Sequence, residues 1–222
     1  IGPVKAQTFK DKWVFANNKF VKKTVTYSPG LERLFIEAMS NAIDNYERSK
    51  NSDTPCTKIK IEIKESGETS IWNDGQAIPV VKKTMDNGEE LYVHTLVFGK
   101  LRSGENYNDE KKRYSSGRNG VGIKLTNAFS NKFIVKASDG IKNFKQEWTD
   151  HMRLPKKPRA TTLKNCGKKF THVIWQPDFS LFNCDNYSQD MKSILYKHAY
   201  DCSMITGIPI YLDGKKIPIK SL

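Results

Sequence analysis

The stretch PGLERLFIEAMSNAIDNYERS, residues 29–49, limits what this chain can fold into more than any other. Leu31, Leu34, Phe35, Ala38, Met39, Ala42 and Ile43 recur at three- and four-residue spacing, the period of a helix with one apolar face. Ser28 supplies a cap oxygen and Pro29 suits the first helical position, so the spacing predicts a helix running to about Ser49. A helix this apolar has to lie on other elements. Its remaining side is a polar stripe of Glu37, Asn41, Asp44, Asn45 and Arg48. Glu37 and Asn41 are one turn apart and project from the same face. A carboxylate there could orient or deprotonate a water, and an amide oxygen could ligate a hard cation. The same spacing also suits an ordinary solvated face, and the helix alone does not choose between them.

Beyond a polar break, residues 57–64 (TKIKIEIK) alternate strictly, which predicts a strand with Ile59, Ile61 and Ile63 on its buried side. A second short strand ends at Asn73 and opens the loop NDGQAIP. A helix is expected over 91–101, with His94 packed inside it. Residues 103–117 are almost free of apolar side chains and read as a long loop. A helix follows at 121–129, then strands near 132–138, 143–149 and 169–176, with a Lys/Pro-rich loop at 153–160. Residues 188–205 read as helical, and IPIYLDGKKIPI as a closing hairpin turning at Asp213–Gly214. These elements predict an α+β layer structure with a mixed, mostly antiparallel sheet and helices on one face. Residues 1–28 carry Trp13, Phe15, Phe20 and Tyr27 without helical period. They read as an extended arm that packs on something else, a second subunit included.

Composition narrows the partners. Lys plus Arg number 37 against 24 Asp plus Glu, a net charge of +13, which suits a polyanion such as nucleic acid or nucleotide phosphate. The basic residues lie in scattered pairs, with no helix-turn-helix or zinc-finger spacing. Cys56, Cys166, Cys184 and Cys202 are far apart and read as reduced thiols of an intracellular protein. No apolar run is long enough to span a bilayer as a helix.

Two loops add chemistry. GRNGVGIK, Gly117 to Lys124, places three glycines ahead of a helix, where close backbone approach and N–H groups favour an anion. It lacks the Gly-Lys-Ser/Thr of a Walker loop and the preceding buried strand of a dinucleotide fold. NDGQAIP sets a polar side chain and a glycine at a strand end, suited to an adenine edge. Each loop also reads as a plain structural turn.

In order along the chain, however, YSPGLERLFIEAMSNAIDN, IWNDGQAIPVV, LVFGKLRSGENYNDEKKRYSSGRNGVGIKLTNAFS and FKQEWTDHM resemble the GHKL ATPase superfamily. Within that superfamily they resemble the ATPase region of eukaryotic-type (type IIA) DNA topoisomerases. IWQPDFSLF, AYDCS and IYLDGKKIPIK extend the likeness over most of the chain from Trp13 onward. The resemblance implies the GHKL (Bergerat) sandwich, an ATP-binding unit over 29–222, and residues 1–28 as a dimer strap. Glu37 would be the general base on water, and Asn41 would bind Mg²⁺ and through it the phosphates. Asp44 and Asn45 would line the ribose and adenine side, Asn73 would contact adenine, and Ile78 would pack near the base. Gly104, Glu105 and Asn106 would reach the sugar and phosphates. Gly117, Arg118, Asn119, Gly120, Val121, Gly122 and Ile123 would wrap the phosphates with backbone N–H groups, and Lys124 would add a cation.

The implied function is the ATP-driven gate of an enzyme that passes one DNA duplex through a break in another. The implied cofactors are ATP and Mg²⁺, and the partners are double-stranded DNA and a second copy of the chain, with no membrane. The implied compartment is the nucleus of a cellular eukaryote, or host cytoplasm or virion for a large DNA virus. Ala77 stands where the family has glycine, and Gly104 and Glu105 where it has serines, which suggests a divergent member. The family's transducer lysine and DNA-cleavage residues are expected beyond Leu222, so this stretch alone should bind ATP and hydrolyse it poorly. Two other readings stay open: another GHKL ATPase of MutL or chaperone type, and a non-catalytic basic nucleic-acid-binding module.

Overall fold

A computed structural model describes residues 1–100 and 122–218. The chain opens with a hairpin, β1 (Gln7–Ala16) and β2 (Lys19–Tyr27), and enters α1 (Pro29–Ser49). Four short strands follow: β3 (Ile59–Ile63), β4 (Thr69–Asp74), β5 (Lys82–Thr84) and β6 (Glu90–Tyr92). β6 leads directly into α2 (Val93–Gly99). Further on, α3 (Gly122–Ala128) precedes β7 (Ser130–Ser138), β8 (Lys142–Thr149), β9 (Leu154–Pro155), β10 (Arg159–Thr162) and β11 (Phe170–Pro177). After a 3-10 turn at Phe179–Phe182 come α4 (Gln189–Thr206), β12 (Ile210–Leu212) and β13 (Lys215–Lys216).

Among the described residues the main sheet has nine strands in the order β10-β8-β7-β11-β4-β3-β12-β13, with β9 paired to β8. Its pairings are antiparallel except β12 with β3. The architecture is the expected α+β arrangement. Ile59, Ile61 and Ile63 are buried while Lys60 and Glu62 are exposed, so β3 turns its isoleucines toward the helices. They meet Leu34, Phe35, Met39, Phe133, Trp175 and Leu195 in one core. Full burial of a side chain such as Phe35 or Leu34 stabilises by about 1.5–3 kcal/mol. At the head of α1 the Ser28 hydroxyl accepts from the Leu31 N–H at 3.3 Å. At the far end Asp213 (φ 49°) and Gly214 (φ 79°) form the primed turn that the sequence announced.

Two boundaries differ from the sequence reading. The helix expected over 91–101 starts only at Val93, because Glu90–Tyr92 pair with Lys82–Thr84. The Lys/Pro-rich segment contains β9 and β10, short edge strands of the kind where lysine and proline are tolerated. The N-terminal arm is a hairpin docked on its own chain. Val14, Val25 and Tyr27 enter the core, Phe15 stacks on Tyr200 at 3.8 Å, and Lys23 and the Thr26 N–H bind the Asp190 carboxylate. No described helix is long and apolar enough to cross a membrane.

Candidate nucleotide site

The packing of α3 on α1 builds one half of the site. The Thr126 hydroxyl donates to the Leu34 carbonyl at 3.0 Å, and the Asn127 amide to the Phe98 carbonyl at 2.9 Å. Both side chains are fully buried, so these bonds are shielded from water and fix α3 against α1 and the end of α2. The result is that Gly122 lies against Glu37, and a Cβ at this position would overlap the Glu37 carboxylate. Glycine leaves that carboxylate where it is, since a methyl group would push the end of the Glu37 side chain aside. Oε2 of Glu37 faces Gly122, while Oε1 forms an ion pair with Arg33 one turn earlier. Arg33 was not among the residues singled out from sequence. Its i,i+4 spacing from Glu37 was the signal available.

Further along α1, Asn45 anchors the other half. It is buried, and its Nδ2 donates to the Gln76 carbonyl at 2.7 Å. Gly75 sits at φ +108°, where a Cβ would come within 2.5 Å of Asn45 Oδ1 and 2.9 Å of Cys56 Cα. The loop after β4 is therefore pressed under α1 in a backbone state that suits glycine. Asn73, one residue before the end of β4, is buried, with its Nδ2 donating to the Asp74 carbonyl at 2.9 Å. Asp74 holds the start of β3, accepting from the Thr57 and Lys58 N–H groups at 2.8 and 3.0 Å. Ile78 is half-buried against the core.

Asn41 and Asp44 stand on α1 between these two contacts, Asn41 exposed and Asp44 half-buried. Ile123 and Lys124 are buried within α3. The other sequence-derived positions, Gly104, Glu105, Asn106, Gly117, Arg118, Asn119, Gly120 and Val121, lie outside the described residues. The polar stripe of α1 thus has a carboxylate at one end, a loop clamp at the other and an open amide between.

No family model matches the chain. Among curated proteins it is 42% identical to the DNA topoisomerase 2 of Invertebrate iridescent virus 6 over 214 residues, 91% of this chain and 19% of that protein. It is 39% identical to the DNA topoisomerase 2 of Plasmodium falciparum over 213 residues, 94% of this chain and 15% of that protein. Among solved structures it is similar to the ATPase region of Saccharomyces cerevisiae topoisomerase II. The TM-score is 0.87 at 31% identity, covering 100% of this chain and 58% of that one. The chain belongs to the DNA topoisomerase 2 family, in its ATPase region.

It spans under a fifth of the length of these curated topoisomerase 2 relatives. The likeness runs across the whole stretch and takes in every element that positions Glu37, Asn41, Asn45 and Asn73. Among the described residues no cluster of three His, Cys, Asp or Glu side chains is arranged to hold a metal. The exposed Asn41 amide offers a hard oxygen of the kind Mg²⁺ takes beside waters.

Proposed function

We propose that this chain is the ATP-binding gate domain of a type IIA DNA topoisomerase, in which nucleotide drives two copies together to capture a DNA duplex. The observation that carries the reading is the split Glu37 carboxylate. Arg33 takes one oxygen and Gly122 leaves room for the other, with the exposed amide of Asn41 one turn away. Glu37 would take a proton from the attacking water, and Arg33 would keep its carboxylate aimed. Asn41 would hold Mg²⁺, whose charge offsets that of the phosphates when it is bound. Asn73 and the loop clamped by Asn45 would receive the base, with Asp44 toward the ribose. An intracellular setting suits the four cysteines, all free.

The test is binding of a non-hydrolysable ATP analogue, with and without Mg²⁺, to wild type and Asn41→Ala. Saturable, Mg²⁺-dependent binding that Asn41→Ala weakens at least about tenfold, a loss of about 1.4 kcal/mol, supports the reading. Absence of saturable binding by wild type removes it. For the strap role of the arm, the exposed Trp13 and Phe20 are the side chains to change. Deleting residues 1–28 would also strip Val14, Val25 and Tyr27 from the core. Trp13→Ser with Phe20→Ser should abolish nucleotide-dependent dimers in light scattering while the monomer stays folded.

A further inference from the structure

The face of the main sheet turned away from the helices carries a row of side chains that no part of the nucleotide site uses. Reading strand partners straight across, Arg159 of β10 is opposite Lys145, Lys145 opposite Lys136, and Lys136 opposite His172. His172 is opposite Trp72, Trp72 opposite Lys60, Lys60 opposite Tyr211, and Tyr211 opposite Lys216. Directly paired residues point to the same side of a sheet, so all eight share one face. With strands about 4.8 Å apart, seven steps give a line of about 34 Å. That is about one turn of B-form DNA.

The cations in this row stand outside close ion pairs. Lys60, Lys136, Lys145, Arg159 and Lys216 form no ion pair among the described residues, whereas Lys64 and Lys156 beside them are paired with Glu68 and Glu147. The Asp74 carboxylate on this face is engaged by Thr57 and Lys58. Glu62 is exposed beside Lys60, and Glu147, held by Lys156, is close enough to Lys145 to feel its charge. A groove of about 560 Å³ lined by Lys58, Lys60, Trp72, His172 and Tyr211 marks its middle.

We propose that this bare sheet face docks the sugar-phosphate backbone of duplex DNA along the cross-strand row. Five cations in a line, each outside a close ion pair, give charge complementarity to a phosphate backbone. The aromatic side chains argue against a single strand. Trp72 has Lys60 and Lys58 at 5.2 and 5.9 Å from its ring centre and stacks on Phe170 at 6.1 Å, so its faces are covered and not open to a base. The row also presents no bare apolar side chain for insertion into a lipid surface. This contact rests on the gate reading for its duplex but uses different side chains from the nucleotide site, so either can fail without the other.

The experiment is fluorescence anisotropy with the full chain and a labelled duplex of about two helical turns, between about 50 and 200 mM salt. The variants are Lys60→Glu/Lys136→Glu/Lys145→Glu and, as an equal change of charge elsewhere, Lys5→Glu/Lys10→Glu/Lys19→Glu. Melting curves check that both fold. The row variant should lose at least about tenfold in affinity, and its slope of log K against log salt should be shallower by about three. The control should keep most of its binding, and Glu62→Gln should tighten it. Equal losses in the two triple variants would reduce the effect to net charge and overturn the proposal. So would tighter binding of the same strand unpaired, or capture by phosphatidylserine vesicles without duplex binding. Nucleotide-analogue binding measured alongside reports separately on the gate reading.

Discussion

The helix-covered face and the bare face of the main sheet are made from the same strands, one residue out of step. On β3, Ile59, Ile61 and Ile63 go one way and Lys60 and Glu62 the other; across the sheet Val135 is buried where its neighbour Lys136 is half-exposed. Water is excluded on one side, so contacts there are decided by shape. Glycine at 122 lets the Glu37 carboxylate keep its place, and Asn45 is useful because it reaches the Gln76 carbonyl. On the other side the side chains are long, charged and screened by salt, and their value lies in the sum of a row. Two histidines show the contrast within one residue type. His94, on the covered side, and His172, on the bare side, are both held at about 4, and burial leads in each. Only His172 has lysines, Lys136 and Lys60, adding to the effect.

The covered side should fail abruptly under small changes. The largest effect is expected from Glu37→Gln in a protein extended through the transducer, where turnover should fall about 10²–10⁴-fold while analogue binding survives. Equal turnover would take Glu37 out of that role. Gly122→Ala should act almost as strongly, about 10²-fold, by displacing the Glu37 carboxylate without unfolding the chain. Thermal melts separate that outcome from loss of fold. Gly75→Ala combines a left-handed backbone with contact to Cys56 Cα, and should lower stability by about 2–4 kcal/mol in denaturant titration.

The histidines give gentler tests. His94 is fully buried, both ring nitrogens lack partners among the described residues, and its ring stacks on Phe144 at 4.4 Å. Its folded state therefore disfavours the proton that the unfolded chain takes up near 6.5. Stability should be intact above pH 6.5 and fall by about 3 kcal/mol as pH drops toward 4. His94→Leu should flatten that limb of the pH–stability curve, and an unchanged limb would point to another group. The smallest effect lies on the bare side. Raising salt should screen Lys136 and Lys60 and lift the His172 titration by less than about one unit, read by NMR, with His94 unmoved.

Much of this was legible along the chain. Ser28 and Pro29 announced the start of α1, strict alternation announced β3, and Asp213–Gly214 announced the last turn, because each signal is local. The hairpin β1–β2 was read only as an arm, since its strand alternation is broken by a register shift between Phe9 and Lys12. β5, β9 and β10 are short and mostly exposed and β6 has only three residues, so they leave little period to read. In the site, the placing of Glu37 and Asn41 on one face followed from helical spacing alone. The contact of Glu37 with Gly122 did not, because it depends on Thr126 binding a carbonyl 92 positions away.

By itself, then, the sequence determined the long helices and the alternating strands, which side of each is apolar, and, through a run of motifs, membership of a topoisomerase family. Those properties depend on neighbours within a turn or a strand. The tertiary structure alone decided that Gly122 meets Glu37, that Asn45 clamps the loop at Gly75, and that cations from five strands stand in one line. Strand register and helix docking join residues far apart in the chain, and the pairwise sums that set them are not written in any local pattern.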